Sequence, residues 1–89
     1  MKTLEIIQEF VRNLGYQASG AKTGYIEVSS GLMHIASMGV DGTVVDVSPP
    51  GHSYPMLKFD LHDPDSFRGI QHHLEYLDIH GVHSFKYHD

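Results

Sequence analysis

The clearest pattern of apolar and polar positions lies in Met56–Gly81, and the rest of the chain is organised around it. Apolar and polar residues alternate from Met56 to Leu61, which is the period of a half-buried strand. Apolar residues then recur at the spacing of one helical face, at Phe67, Ile70, Leu74 and Leu77. The stretch therefore predicts a strand, a corner and an amphipathic helix that ends at Gly81.

Three aspartates mark the predicted corner. Asp60 is the last polar residue of the predicted strand, Asp63 with Pro64 has the composition of a helix cap followed by a first helical residue, and Asp65 follows. A carboxylate near the start of a helix is favoured by the helix dipole. The sequence thus predicts that Asp63 caps the second helix.

Gly69 breaks the pattern of this helix. A glycine inside an exposed helix costs about 0.5–1 kcal/mol relative to alanine. Gly69 flanks the apolar stripe, so we expect it to allow a close approach, either by another part of the fold or by a binding partner.

An earlier amphipathic helix is predicted from Thr3, as its cap, to about Leu14, and Gly15 ends it. Its apolar stripe consists of Leu4, Ile7, Val11 and Leu14, widened by Phe10. The opposite face is polar and acidic rather than rich in lysine and arginine, which favours a helix that packs on a core over one that binds a membrane.

The middle of the chain predicts an antiparallel meander, because its apolar and β-branched runs are separated by turns too short for crossover connections. Asp41-Gly42 is a hairpin signal, and three prolines make residues 48–55 an irregular loop. The four predicted strands are Tyr25–Ser29, Leu32–Met38, Thr43–Val47 and Met56–Leu61, with short additional strands predicted at Tyr16–Ala18 and Val82–Tyr87.

Together these elements predict one domain, residues 1–89, of the α+β class. The expected architecture is a two-layer sandwich. An antiparallel sheet of four strands, or of five or six if the short strands form, carries an N-terminal and a C-terminal helix.

The composition of the chain argues against several classes of function. The formal charge is −5 and only six residues are lysine or arginine, which argues against direct binding of nucleic acid. There is no cysteine, no apolar run long enough to span a membrane and no signal-peptide pattern, so we expect a cytoplasmic protein. No catalytic or cofactor motif is present: Ser19–Gly24, for example, lacks the spacing of a phosphate-binding loop. We therefore expect neither an enzyme nor a cofactor.

Histidine is the one unusual residue type, with eight in 89 residues. An alternative hypothesis is a metal-binding protein or metal-dependent hydrolase that uses some of His72, His73, His80 and His83 with Glu75 or Asp78. The spacing argues against it, since neither His72 nor His73 has a histidine or carboxylate four residues later on the same helical face. A third hypothesis is a small-ligand-binding protein whose pocket forms in an oligomer, with a homodimer as the simplest case.

The polar face of the second helix and the adjoining corner present charged and aromatic side chains on rigid backbone, which is typical of a recognition surface. The residues predicted to bind a partner are Asp60, Asp63, Asp65, Glu75, Tyr76 and Asp78. An acidic surface of this kind suits a partner with a basic surface.

The segment FDLHDPDSFRGIQHHLEYLD resembles the C-terminal half of several small phage-encoded anti-CRISPR proteins. Those proteins are also short, acidic, cysteine-poor α+β domains with a first helix, a small antiparallel sheet and a second helix. The resemblance implies an inhibitor that acts without catalysis, in the host cytoplasm, by occupying a binding surface on a defence or nucleic-acid-processing complex. The leading hypothesis is therefore a non-enzymatic protein-binding module.

Overall fold

The structure, a computed structural model, describes residues 2–50 and 57–80. In these residues the two helices are α1 (Lys2–Asn13) and α2 (Ser66–His80). The five strands are β1 (Gln17–Ser19), β2 (Ile26–Ser30), β3 (Met33–Asp41), β4 (Val44–Ser48) and β5 (Leu57–Asp60), and a short 3₁₀ helix, Ala21–Thr23, joins β1 to β2.

The five strands form one antiparallel sheet in chain order, β1-β2-β3-β4-β5. This confirms the predicted α+β fold with an N-terminal and a C-terminal helix, and the predicted short first strand joins the four main ones. The last predicted strand, Val82–Tyr87, and the predicted helix stop at Gly81 lie outside the described residues.

The core lies between the two helices and one face of the sheet. The predicted stripes point into it: Leu4, Ile7 and Val11 of α1 and Ile70, Leu74 and Leu77 of α2 are buried. From the sheet they meet the buried side chains of Ala18, Ile26, Val28, Ile35, Ala36, Met38, Val45 and Val47. The half-buried rings of Phe10 and Phe67 pack edge to face, 4.8 Å between centroids, and join the two helices at the edge of this core.

Strand β3 departs from strict alternation. Its pairing with β2 shifts between Val28 and Ser29, so that Val28 lies opposite Ala36 and Ser29 opposite His34. The shift skips Ile35, and both Ile35 and Ala36 are fully buried. A bulge of this kind turns consecutive side chains away from the regular up-and-down pattern.

The other face of the sheet has a buried polar centre. The Ser37 hydroxyl donates to Glu27 at 2.7 Å, the Ser48 hydroxyl donates to the Ser37 carbonyl at 3.3 Å, and both serines are fully buried. The Tyr25 ring lies over Gly39, where a Cβ atom would come within 3.0 Å of the ring. The hydroxyl groups of both serines thus have hydrogen-bond partners within the fold, as buried polar groups require.

Of the two predicted helix caps, the one at Thr3 is wrong. Thr3 lies inside α1, which begins at Lys2. Helix α2 begins at Ser66, and the first carbonyl of the helical ladder belongs to Asp65, which accepts from the Gly69 N–H at 2.9 Å. The Asp63 carboxylate accepts the Asp65 N–H at 2.9 Å, and the Asp63 carbonyl accepts the Ser66 N–H at 3.0 Å. The capping hydrogen bond predicted for Asp63 is therefore present, on the turn that leads into the helix.

The close approach at Gly69 is internal to the fold. A Cβ atom at this position would lie 2.9 Å from Cε1 and 3.1 Å from Cδ1 of Phe59. Phe59 is on β5 and half-buried against the core, so the glycine lets α2 settle onto the edge of the sheet.

We predict that Gly69→Ala lowers the free energy of unfolding by about 1 kcal/mol. The added methyl group overlaps the Phe59 ring, and overpacking costs roughly 1–3 kcal/mol, more than the 0.5–1 kcal/mol that helix propensity returns. Urea unfolding followed by circular dichroism measures the change.

The control is the same substitution in a Phe59→Leu background, where the ring is absent. There Gly69→Ala should raise stability by about 0.5–1 kcal/mol, the propensity difference alone. A stabilising Gly69→Ala in the otherwise unchanged chain would contradict the contact.

Candidate interaction surface

The six residues predicted to bind a partner form two groups at opposite ends of α2. Asp60, Asp63 and Asp65 lie at the corner that precedes the helix, and Glu75, Tyr76 and Asp78 lie in its last turns. Ten residues separate Asp65 from Glu75, which is about 15 Å along a helix. The structure therefore places them on two separate patches rather than in one site.

The corner is held in place by hydrogen bonds to its own backbone. Asp60 Oδ1 accepts the His62 N–H at 2.9 Å, and Asp63 Oδ1 accepts the Asp65 N–H at 2.9 Å. The Leu61 N–H donates to the Thr43 carbonyl at 2.8 Å, which fastens the corner to the turn between β3 and β4. The exposed carboxylates are therefore presented from a fixed backbone.

A fourth carboxylate lies nearby. Asp41 at the end of β3 pairs with Val44, and Val44 pairs with Asp60 on the other side. Residues directly opposite on neighbouring strands point to the same face of the sheet. Asp41 and Asp60 therefore lie on the same face, about 10 Å apart, which is the width of two strand spacings. The sequence had identified Asp41 only as a turn residue. Its place beside Asp60 follows from the strand register, which the sequence pattern alone does not give.

Basic side chains neutralise this corner only in part. Arg68 lies 3.7 Å from Asp65. His62, which forms an ion pair only when it is protonated, lies 3.7 Å from Asp60. All four side chains are more than half exposed, so each pair is weak, roughly 0–1 kcal/mol, and is easily exchanged for a partner's cation. We call Asp41, Asp60, Asp63 and Asp65 the acidic corner.

The second patch surrounds the end of α2. Burial raises the pKa of the Tyr16 phenol above its ordinary value of 10.0, and the negative charges of Asp78 and Glu75 raise it further. The ring of Tyr76 lies 4.3 Å from that of His80, between centroids. Tyr16, which links α1 to β1, was not among the predicted site residues, because only the fold brings it to α2.

The histidines proposed as metal ligands do not converge in the part of the chain that the structure describes. His72 is exposed, whereas the adjacent His73 is buried beside the Phe59 ring, at 6.4 Å between centroids. Across residues 2–50 and 57–80 no three histidine, aspartate or glutamate side chains are grouped as metal ligands would be. His83 lies outside those ranges.

Two open grooves flank α1. One, of about 490 Å³, lies between the helices and is lined by Ile6, Glu9, Phe10, Asn13 and Phe67. The other, of about 380 Å³, lies between α1 and the 3₁₀ helix and is lined by Glu5, Gln8, Glu9, Arg12, Gly20, Ala21 and Lys22. The first is mainly apolar, whereas the second carries charges of both signs.

Within residues 2–50 and 57–80, no helix is both long and apolar enough to cross a membrane. Comparison of the chain with protein-family models, with curated proteins and with solved structures gave no match.

We predict that the raised pKa of Tyr16 makes stability fall at alkaline pH. The unfolded chain loses the Tyr16 proton near pH 10, before the folded chain does. The contribution of this phenol to the free energy of unfolding is therefore fully present below pH 10, and it is lost as the pH rises through the folded-state pKa. Unfolding by urea at pH 8 and above pH 10 should show a smaller alkaline loss in Tyr16→Phe than in the unchanged chain.

Asp78→Asn gives an internal check, because it removes one of the charges that raise this pKa. Its alkaline loss should lie between those of Tyr16→Phe and the unchanged chain. An identical loss in all three proteins would show that the Tyr16 environment is not the cause.

We also predict that Asp63→Ala lowers the free energy of unfolding by about 1 kcal/mol, since it leaves the Asp65 N–H without its acceptor. Asp63→Asn keeps an acceptor oxygen and should retain most of the stability. Thermal unfolding of the two variants measures the difference, and equal losses would show that charge rather than the hydrogen bond matters here.

Proposed function

We propose that this chain is a non-enzymatic protein-binding module that occupies a basic surface of a partner protein or protein–nucleic-acid complex. In the specific form we favour, it is a phage-encoded inhibitor, of the anti-CRISPR kind, that acts in the host cytoplasm on a defence or nucleic-acid-processing complex. The observation that carries the proposal is the acidic corner, in which the exposed carboxylates of Asp60 and Asp63 are fixed by hydrogen bonds to the backbone.

Carboxylates held on a rigid backbone favour binding, because little conformational entropy is lost when a partner binds to them. Ordering a flexible polar side chain and its loop at an interface costs free energy, and a preformed surface avoids part of that cost. The Asp60 and Asp63 side chains already hold their turns, while their remaining acceptor positions stay open to a partner. Lysine and arginine side chains are the hydrogen-bond donors that would bind to these acceptors.

The charge distribution supports a protein partner rather than a nucleic acid. The chain has a formal charge of −5, and its carboxylates would repel a phosphate backbone. Complementary charges mainly speed association and select the partner. A binding partner of this chain should therefore carry lysine and arginine where it meets the corner.

The test is quantitative capture of partners from a bacterial lysate by the unchanged chain and by Asp60→Asn/Asp63→Asn/Asp65→Asn. Asparagine keeps the acceptor oxygens of the turns but removes three negative charges, so the fold is retained. We expect the unchanged chain to enrich a basic or nucleic-acid-processing complex, and the triple variant to lose it.

The matched control is Glu5→Gln/Glu75→Gln/Asp78→Asn, which removes the same number of charges away from the corner. Glu75 and Asp78 belong to the second patch, which this proposal leaves out of the binding site. It should capture the same complex as the unchanged chain. Equal capture by both triple variants, or no enrichment beyond that of an unrelated protein of charge −5, would refute the proposal.

A further inference from the structure

The groove between the helices is an apolar surface with a polar border. Phe10 and Phe67 are half-buried at its floor, and Ile6 keeps 54% of its surface exposed. Glu9 and Asn13 complete the lining. Half-buried aromatic rings beside an exposed aliphatic side chain, with polar residues around them, have the composition of a binding hot spot.

The shape and the surrounding backbone favour a helix as the occupant. Ile6, Glu9, Phe10 and Asn13 recur along one side of α1, and seven residues span about 10 Å, nearly two helical turns. All five lining residues belong to helices, whose backbone groups are used within the helix. An extended peptide would find no sheet edge here to pair with, whereas a helix satisfies its own backbone and can lay an apolar ridge in the groove.

The charge around the groove distinguishes between its possible occupants. Among the described residues that line the groove, Glu9 is the charged one. Asp65 of the acidic corner is only two residues before Phe67. A second copy of this chain, which has a formal charge of −5, would bring like charges together. An anionic membrane surface would be repelled in the same way. A helix with lysine or arginine beside its apolar ridge would be attracted.

We propose that the interhelical groove binds an amphipathic helix of the partner protein, with two apolar anchors one turn apart and lysine or arginine flanking them. The apolar anchors contact Ile6, Phe10 and Phe67, and a flanking cation meets Glu9. This inference rests on the proposed function, because it names the chemistry of the partner segment that the module recognises.

The probe is a synthetic helical peptide of about 18 residues with leucines at i, i+3, i+4 and i+7 and lysines on both flanks, compared with an isomer that carries glutamates there. Fluorescence anisotropy of the labelled peptide measures the dissociation constant of its complex with the whole chain. We expect the lysine peptide to bind at least tenfold more tightly than the glutamate isomer.

Two variants locate the site. Ile6→Gln should weaken binding of the lysine peptide about tenfold, since it removes an apolar side chain that the peptide would cover. Ile79→Gln is the matched control, because Ile79 is even more exposed, at 76%, but lies at the far end of α2. It should bind the peptide as tightly as the unchanged chain.

Four results would overturn the proposal. They are no binding of the lysine peptide, equal binding of both peptides, equal effects of the two isoleucine variants, and an alternative occupant. A dimer in sedimentation that dissociates in Ile6→Gln would identify a second copy as the occupant. Association with phosphatidylglycerol vesicles that depends on Ile6 would identify a membrane.

Failure of this inference is separable from failure of the proposed function. If the lysine peptide does not bind but lysate capture still depends on the acidic corner, the module stands and the groove is not its helix site. If neither the peptide nor a corner-dependent partner is found, both fail.

Discussion

The contact between Gly69 and the Phe59 ring sets how closely α2 approaches the sheet. With hydrogen in place of a methyl group, the helix packs closely on strand β5, and Ile70, Leu74 and Leu77 reach full burial. Interiors are close-packed, so a helix held farther out would leave voids beneath its whole apolar face. The cost of a glycine within the helix is thus offset by the packing that follows from it.

The acidic corner and the groove between the helices both depend on how closely α2 packs on the sheet. The start of the helix fixes Phe67 against Phe10, and this edge-to-face pair forms the floor of the groove. The corner just before the helix is tied to the β3–β4 turn through Leu61 and Thr43. Because the same short segment forms one wall of the groove and presents the carboxylates, an apolar and a basic part of one partner could be engaged together.

The sequence predicted what depends on local periodicity and missed what depends on tertiary contacts. The helix stripes and the strand alternation around Phe59 were sufficient to predict the two-layer fold. The bulge that buries both Ile35 and Ala36 has no local signal in β3. Gly69 was correctly expected to allow a close approach, but its partner Phe59 is ten residues away on another element. In the same way, Asp41 joins the corner, and Tyr16 joins Glu75 and Asp78, only through the fold.

Methyl cross-saturation of the isoleucine-labelled chain in complex with its captured partner tests the central claim most directly. Ile6 and Ile79 are both exposed but lie on different helices, whereas Ile7, Ile26, Ile35 and Ile70 are fully buried and serve as internal references. Recognition through the corner and the adjoining groove predicts strong saturation transfer to the Ile6 methyl group and none above the reference level to Ile79. Transfer to Ile79 with an unaffected Ile6 would place the partner at the other end of α2 and contradict the account.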